Sequence, residues 1–225
     1  MTAALAILHR DARLVAVDKP AGVVTTRGWA NDEDALMQQT RDAVGAWVWP
    51  IHRLDRGTSG VVLFALDVEA ARALSDAFAR GEADKTYLAL TRGHPPEELV
   101  IDYPIPKAEG GDRVPAVTAI RRLETFGRYA WVEARPRTGR LHQIRRHLKH
   151  ISCPLIGDVR YGKGEHNRLF RTAYDLHRLA LHAARLVVPH PDGGSLAVDA
   201  PLAADLAACL AALRANPPAI PPRAA

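Results

Sequence analysis

Residues 51–67 read IHRLDRGTSGVVLFALD. The run Val61–Leu66 is wholly apolar, short, and rich in β-branched and aromatic side chains, which fits a strand buried on both faces. Asp67 stands where a helix N-cap belongs, Glu69 falls in the first turn, Ala71, Leu74 and Phe78 share one face, and Gly81 ends the element. One acid, Asp55, precedes the strand with Arg53 and Arg56 on either side. Such an acid is either half of a surface ion pair or a reactive carboxylate held at the mouth of a core strand.

Working outward, the chain supplies many short strands and few helices. LAILHRDARLVAVDKPAG (5–22) reads as two strands turning at His9–Ala12, the second stopped by Pro20 and Gly22. NDEDALMQQTRDAVG (31–45) reads as a helix capped by Asn31 or Asp32 and ended by Gly45. Thr86–Leu90 is a strand, and Gly93–Pro115 reads as a loop or a β-excursion, not a domain linker, because Leu99, Ile101, Tyr103 and Ile105 alternate. Hairpins are expected around Gly127 and at Asp192–Gly194, and Leu202, Leu206, Leu210 and Leu213 stripe a last helix. This pattern predicts an α+β fold with a mostly antiparallel sheet. The segment 216–225 reads as a tail.

The chain has 225 residues, 48% of them hydrophobic, with a formal net charge of +5. A basic balance favours an anionic partner. The two cysteines, Cys153 and Cys209, form neither a metal spacing nor a disulfide framework, so a reducing, cytoplasmic setting is expected. No apolar run reaches transmembrane length, and no signal peptide, phosphate loop or HExxH pattern is present, so neither a membrane nor a nucleotide partner is expected.

Positive charge gathers in ARPRTGRLHQIRRHLKH (134–150). Arg135, Arg137, Arg140, Arg145, Arg146 and Lys149 occur there without one acid, an arrangement that a nucleic-acid backbone relieves. Read as a helix over 141–150, the segment buries Leu141, Ile144 and Leu148 and turns Arg146 and Lys149 toward solvent or phosphate. Arg145 borders that stripe, where a guanidinium can grip a partly buried carboxylate through two parallel hydrogen bonds. His142, His147 and His150 have the wrong spacing and cationic neighbours for a metal, and none is expected.

HRLDRGTSG (52–60) and GRLHQIRRHLKH (139–150) resemble the paired signatures of the RluA-type pseudouridine synthases. LVAVDKPAGVV (14–24), KTYLALTRG (85–93), CPLIGDVRYG (153–162) and LHAARL (181–186) resemble the family's flanking motifs, in family order. The resemblance implies a pseudouridine synthase-like domain over 1–215, with two lobes around a central basic cleft. It implies isomerisation of uridine in structured RNA without any cofactor. The carboxylate is Asp55, acting by covalent addition or through a glycal-type intermediate. Arg145 becomes its ion-pair partner, Tyr87 the residue that stacks on the uracil, and Arg53 the side chain that fills the gap left by the flipped base. Leu148 and Leu181 wall the base pocket, while His52, Thr58 and Ser59 shape the loop by hydrogen bonding. Arg140, Arg146, Lys149, Arg160 and Lys163 are expected to bind RNA, the last two on a flexible loop over Arg160–Arg171.

The details are most similar to the branch that modifies position 65 of tRNA. Large-subunit rRNA or the tRNA anticodon arm is the alternative target, and a non-catalytic RNA-binding protein the alternative of another class. Thr25, Thr26 and Arg27 stand where many members carry a histidine after the KPAG turn. With the core beginning almost at Met1, the core itself is expected to supply most RNA contacts. A monomer without an obligate protein partner is expected.

Overall fold

The computed structural model describes residues 5–27, 35–107 and 110–218. The chain divides into two compact units, one formed by residues 1–86 and 182–201, the other by 87–181 and 202–225.

In the first unit, β1 (Ile7–Arg10) and β2 (Leu14–Lys19) form an antiparallel pair. Helix α1 (Leu36–Val44) follows, with Gly45 as its left-handed C-cap. The proposed caps Asn31 and Asp32 lie outside the described residues. Strand β3 (Trp49–Pro50) leads through the Asp55 segment into β4 (Ser59–Ala65), every residue of which is buried. Helix α2 (Val68–Arg80) is capped as its sequence predicts: the Asp67 carboxylate accepts the Ala70 N–H, and Gly81 closes the other end.

Strand β5 (Asp84–Arg92) opens the second unit's sheet. The excursion holds β6 (Glu98–Asp102) and a small pair, β7 (Ile105–Pro106) with β8 (Arg113–Val114). The long hairpin β9 (Val117–Phe126) and β10 (Tyr129–Pro136) turns at Gly127–Arg128. Pairing runs β5–β10–β9–β6, antiparallel throughout. Helices α3 (Gln143–His150) and α4 (Gly164–Ala173) come next. The chain then returns to the first unit as β11 (Leu181–Pro189) and β12 (Ser195–Asp199), before α5 (Ala204–Ala215). Strand β11 is antiparallel to β12 but parallel to β4, through His182–Ser59 and Ala183–Gly60. The fold is therefore α+β with a mixed, mostly antiparallel arrangement. Among the described residues no helix is long and apolar enough to cross a membrane.

Two-residue periodicity decides which helix each strand face receives. In the first unit Leu14, Ala16, Val61, Leu63 and Ala65 meet Ala70 and Leu74 of α2. In the second unit Leu90, Tyr129 and Trp131 meet Phe170 of α4 and Leu206, Leu210 and Leu213 of α5. The alternate residues Ala89, Ala130, Val132 and Ala134 meet Ile144 and Leu148 of α3. Small alanines on that face let the basic helix lie close to the sheet.

Two expected elements are corrected. Leu141 is not in the helix: it is 48% exposed, and His142 takes a left-handed backbone with φ 54° just before α3 begins. Gln143 occupies the buried position instead. Its Oε1 accepts from Thr138 Oγ1 (2.7 Å) and the Arg140 N–H (3.0 Å), and its Nε2 donates to the Val117 carbonyl (2.9 Å) and Thr118 Oγ1 (3.0 Å). A satisfied polar side chain thus sits where an apolar stripe was expected. The Arg160–Arg171 segment is not a flexible loop either, since most of it is α4. That helix buries His166, Asn167 and Phe170, and two polar residues on the inner face hid its periodicity.

Candidate active site

Asp55 lies in the non-helical segment just before the turn that enters β4, and it is half-buried. The segment is held mainly by its backbone. Thr25 Oγ1 accepts the Leu54 N–H (3.1 Å) and donates to the Leu54 carbonyl (3.3 Å). The Gly22 N–H reaches the Arg56 carbonyl at 2.8 Å. Lys19 is 0% exposed, and its Nζ donates to the carbonyls of Pro20 (2.9 Å) and Arg56 (3.2 Å). The DKPAG turn is therefore a clamp on the Asp55 loop, a role that sequence reading had not given to Lys19 or Thr25.

The strand side is equally constrained. Gly60 has φ 110°, and a Cβ there would lie 2.1 Å from the Ala183 carbonyl oxygen. Only glycine lets β4 approach β11 so closely. Ser59 Oγ meets His182 Nδ1 at 2.9 Å, and His52 Nε2 accepts the Leu63 N–H at 3.1 Å, so both residues shape the loop as expected. Thr58 departs from expectation. Its Oγ1 is buried without a hydrogen-bond partner, and only its N–H serves the turn, donating to the Asp55 carbonyl at 3.0 Å.

His52 gives this loop a pH signature. Its ring stacks on Phe78 at 5.2 Å between centroids, and enclosure first, then the charge of Lys85, pushes its pKa from the ordinary 6.5 down to about 4. The neutral ring is also the form whose Nε2 can accept the Leu63 N–H. The folded state thus binds fewer protons than the unfolded chain between pH 4 and 6.5. Its stability is complete above the unfolded value and falls as pH drops through that window. Wild-type protein should lose about 2 kcal/mol more than a His52→Gln variant between pH 7 and 5, measured by denaturant unfolding. Equal losses would show that His52 titrates normally.

Tyr87, Leu148 and Leu181 belong to one cluster. Leu148 and Leu181 are buried in it, and Tyr87 is half-buried against it. Tyr87 sits opposite Ala134 in the β5–β10 ladder, on the face that receives α3. Arg53 is exposed and, among the described residues, makes no ion pair.

Arg145 occupies the expected border of α3, and the two parallel hydrogen bonds are present. The carboxylate that receives them here is Asp158. Arg145 Nε reaches Asp158 Oδ2 at 2.8 Å and its second nitrogen reaches Oδ1 at 3.0 Å, with side-chain exposures of 11% and 0%. Asp158 Oδ1 also accepts the N–H groups of Arg160 and Tyr161, both at 2.9 Å. Burial would raise the Asp158 pKa, but the Arg145 hydrogen bonds and charge, with those two N–H groups, hold it below the usual carboxylate range. Asp158 is thus a carboxylate partner of Arg145 in its own right, in addition to the one that the sequence motifs imply.

Tyr161 completes the cluster. The guanidinium carbons of Arg145, Arg160 and Arg146 lie 5.1, 5.7 and 5.9 Å from its ring centroid. Its hydroxyl accepts from Arg146 Nε at 3.0 Å and meets His142 Nδ1 at 3.1 Å. Arg146 is consequently not the outward-facing cation that helical spacing implied. It is half-buried and also donates to the Pro106 carbonyl at 2.7 Å, tying the excursion to α3. His147 does the same work, bridging Thr118 Oγ1 and the Tyr103 carbonyl at 2.9 Å each. Arg140, Lys149, Arg160 and Lys163 are exposed, as RNA contacts require, Arg140 also donating to the Pro115 carbonyl at 3.3 Å. Sequence reading missed Asp158 and Tyr161 as site residues. One signal was available: Asp158 is the first acid after Glu133, at the end of the whole basic stretch.

Known proteins resemble the chain in sequence and in fold. Residues 13–150 match the family model described as RNA pseudouridylate synthase. A tRNA pseudouridine synthase C of Vibrio parahaemolyticus is 40% identical over 210 residues, covering 83% of this chain and 85% of the relative. One from Pasteurella multocida is 41% identical over 211 residues, covering 83% and 86%. Among solved structures, human RNA pseudouridylate synthase domain containing 4 superposes with a TM-score of 0.77 at 28% identity, covering 93% of each chain. Human RNA pseudouridylate synthase domain containing 1 gives 0.76 at 27% identity, covering 95% and 96%.

Proposed function

The chain belongs to the RNA pseudouridylate synthase family and isomerises uridine to pseudouridine in RNA, and from that premise we propose that its substrate is tRNA and its target uridine 65. The observation that carries the tRNA reading is the likeness to tRNA pseudouridine synthase C, at 40% identity over 83% of the chain. Position 65 rests on the motif details of the sequence.

In the proposed chemistry the C1′–N1 bond breaks, the uracil turns, and C1′–C5 forms while C5 loses its proton and N1 gains one. Asp55 is the reacting carboxylate, whether it adds to carbon or takes up a proton, and it balances positive charge that grows at C1′. Arg145 is the partner that the sequence motifs imply for it, and the two hydrogen bonds to Asp158 hold the guanidinium. Tyr87 offers the uracil a ring face and a hydroxyl, Leu148 and Leu181 back the pocket, and Arg53 replaces the lost stacking. Arg140, Lys149, Arg160 and Lys163 bind phosphate. The same reading takes the protein to be a cytoplasmic monomer without an obligate partner. The free, buried Cys153 and Cys209 support a reducing compartment.

Steady-state assays on an unmodified tRNA transcript should show one pseudouridine, at position 65. A transcript with cytidine there should give none, and a large-subunit rRNA fragment should react at least about a hundredfold less well by kcat/KM, a discrimination near 3 kcal/mol. Undiminished product from the cytidine control would remove the position. Preference for the rRNA fragment would replace tRNA as the substrate.

A further inference from the structure

Val159 is 94% exposed, well above any other exposed large hydrophobic residue among those described. A scattered apolar side chain on a surface needs no explanation. Val159 differs in how it is held and in what surrounds it.

Its loop is rigid. The Asp158 carboxylate accepts the two N–H groups that follow Val159, and the Asp158 carbonyl accepts from Gly162 N–H (3.1 Å) and Asn167 Nδ2 (3.0 Å). Asn167 Oδ1 accepts the Gly157 N–H at 2.8 Å. Gly157 has φ 75°, and a Cβ there would lie 1.8 Å from the Arg178 carbonyl oxygen. The backbone on both sides of Val159 therefore has one conformation, and its β-branched side chain has little rotamer freedom to lose on contact.

The surroundings are cationic. Arg160 follows directly, Lys163 comes four residues on, and both are exposed. The His142 ring meets Tyr161 in this cluster, and the residue before it is the exposed Leu141. The residue before Val159 is Asp158, which grips Arg145. An apolar side chain on a stiff support, set among phosphate-binding cations and adjacent to the active-site arginine's anchor, has the character of a wedge against unstacked bases.

We propose that Val159 is a specificity-determining residue that packs against the bases flanking the target uridine and stabilises the opened stack. The inference rests on the RNA-modifying activity proposed above and names a contact which that activity does not require. Covering the valine lowers the cost of extracting a paired nucleotide and contributes little where the nucleotide is already unpaired.

Two measurements test it. Val159→Ser should lower kcat/KM about tenfold on a substrate whose target uridine is base-paired, and less than about twofold when the opposing base is a mismatch; Val159→Ile should restore the paired rate. An equal drop on both substrates, or no drop on either, overturns the wedge. The second measurement does not depend on knowing the target. Cys153 and Cys209 are buried, so a benzophenone maleimide on Val159→Cys reports on position 159 alone. It should crosslink total cellular RNA, tRNA and rRNA together, at bases next to a pseudouridine that the enzyme makes. Crosslinks to protein, or none to RNA, overturn the proposal. If wild-type protein modifies some RNA but not the transcript, the target reading fails while the crosslink still decides on Val159.

Discussion

Asp55→Asn should abolish pseudouridine formation, lowering kcat by about 10⁴ or more, while affinity for tRNA stays within about tenfold of wild type. The amide keeps the carboxylate's shape but neither carries charge nor attacks carbon or accepts a proton at neutral pH. The loop should survive the exchange because main-chain groups hold it: Leu54 through Thr25, Arg56 through Gly22 and Lys19, and the strand entry through Gly60. Two readouts separate chemistry from binding. Release of tritium from C5-labelled uridine follows the exchange of the C5 proton, and filter binding of the same RNA reports affinity. Measurable turnover by a clean variant preparation would remove Asp55 from the chemistry. A collapse of affinity alongside activity would instead make it a binding residue. Full affinity with no turnover in wild type as well would revive the non-catalytic alternative.

Much of this site was legible in the sequence, for identifiable reasons. The β4 strand and the α2 cap could be read because an unbroken apolar run and an N-cap aspartate are local signals. The grouping of Tyr87 with Leu148 and Leu181 followed from motif resemblance alone. Polar residues doing buried work were not legible. Gln143 took the stripe position assigned to Leu141 because its amide satisfies four hydrogen-bonding groups there, a tertiary fact without a local mark. Helix α4 was hidden for the same reason, with His166 and Asn167 turned inward. Arg146 was misplaced because helical spacing says which way a side chain starts, not what a long guanidinium finds at its end. Arg145 was read as a carboxylate's partner by position, yet nothing in local spacing connects it to Asp158, thirteen residues away across a turn.

Asp158→Asn should lower kcat about a hundredfold with less than about a threefold change in KM for tRNA, although Asp158 is placed to touch no substrate. The carboxylate supplies Arg145 with two charged hydrogen bonds in a nearly dry environment, and it fixes the following turn through two backbone N–H groups. Removing its charge takes from a largely buried guanidinium the carboxylate that accepts two of its hydrogen bonds, which costs roughly 3 kcal/mol of stability and loosens the orientation of Arg145. A purely structural role would predict that loss of stability but leave kcat of the folded fraction intact, so the assay must be run well below the variant's melting temperature. A double-mutant cycle then locates the effect. If Asp158 acts through Arg145, adding Asp158→Asn to Arg145→Gln should lower kcat by less than about twofold beyond Arg145→Gln alone, because the arginine it positions is already gone. Additive losses would mean that Asp158 acts on the RNA or on the loop around Val159, independently of Arg145. An unchanged kcat in Asp158→Asn would leave the buried pair as a stabilising contact only.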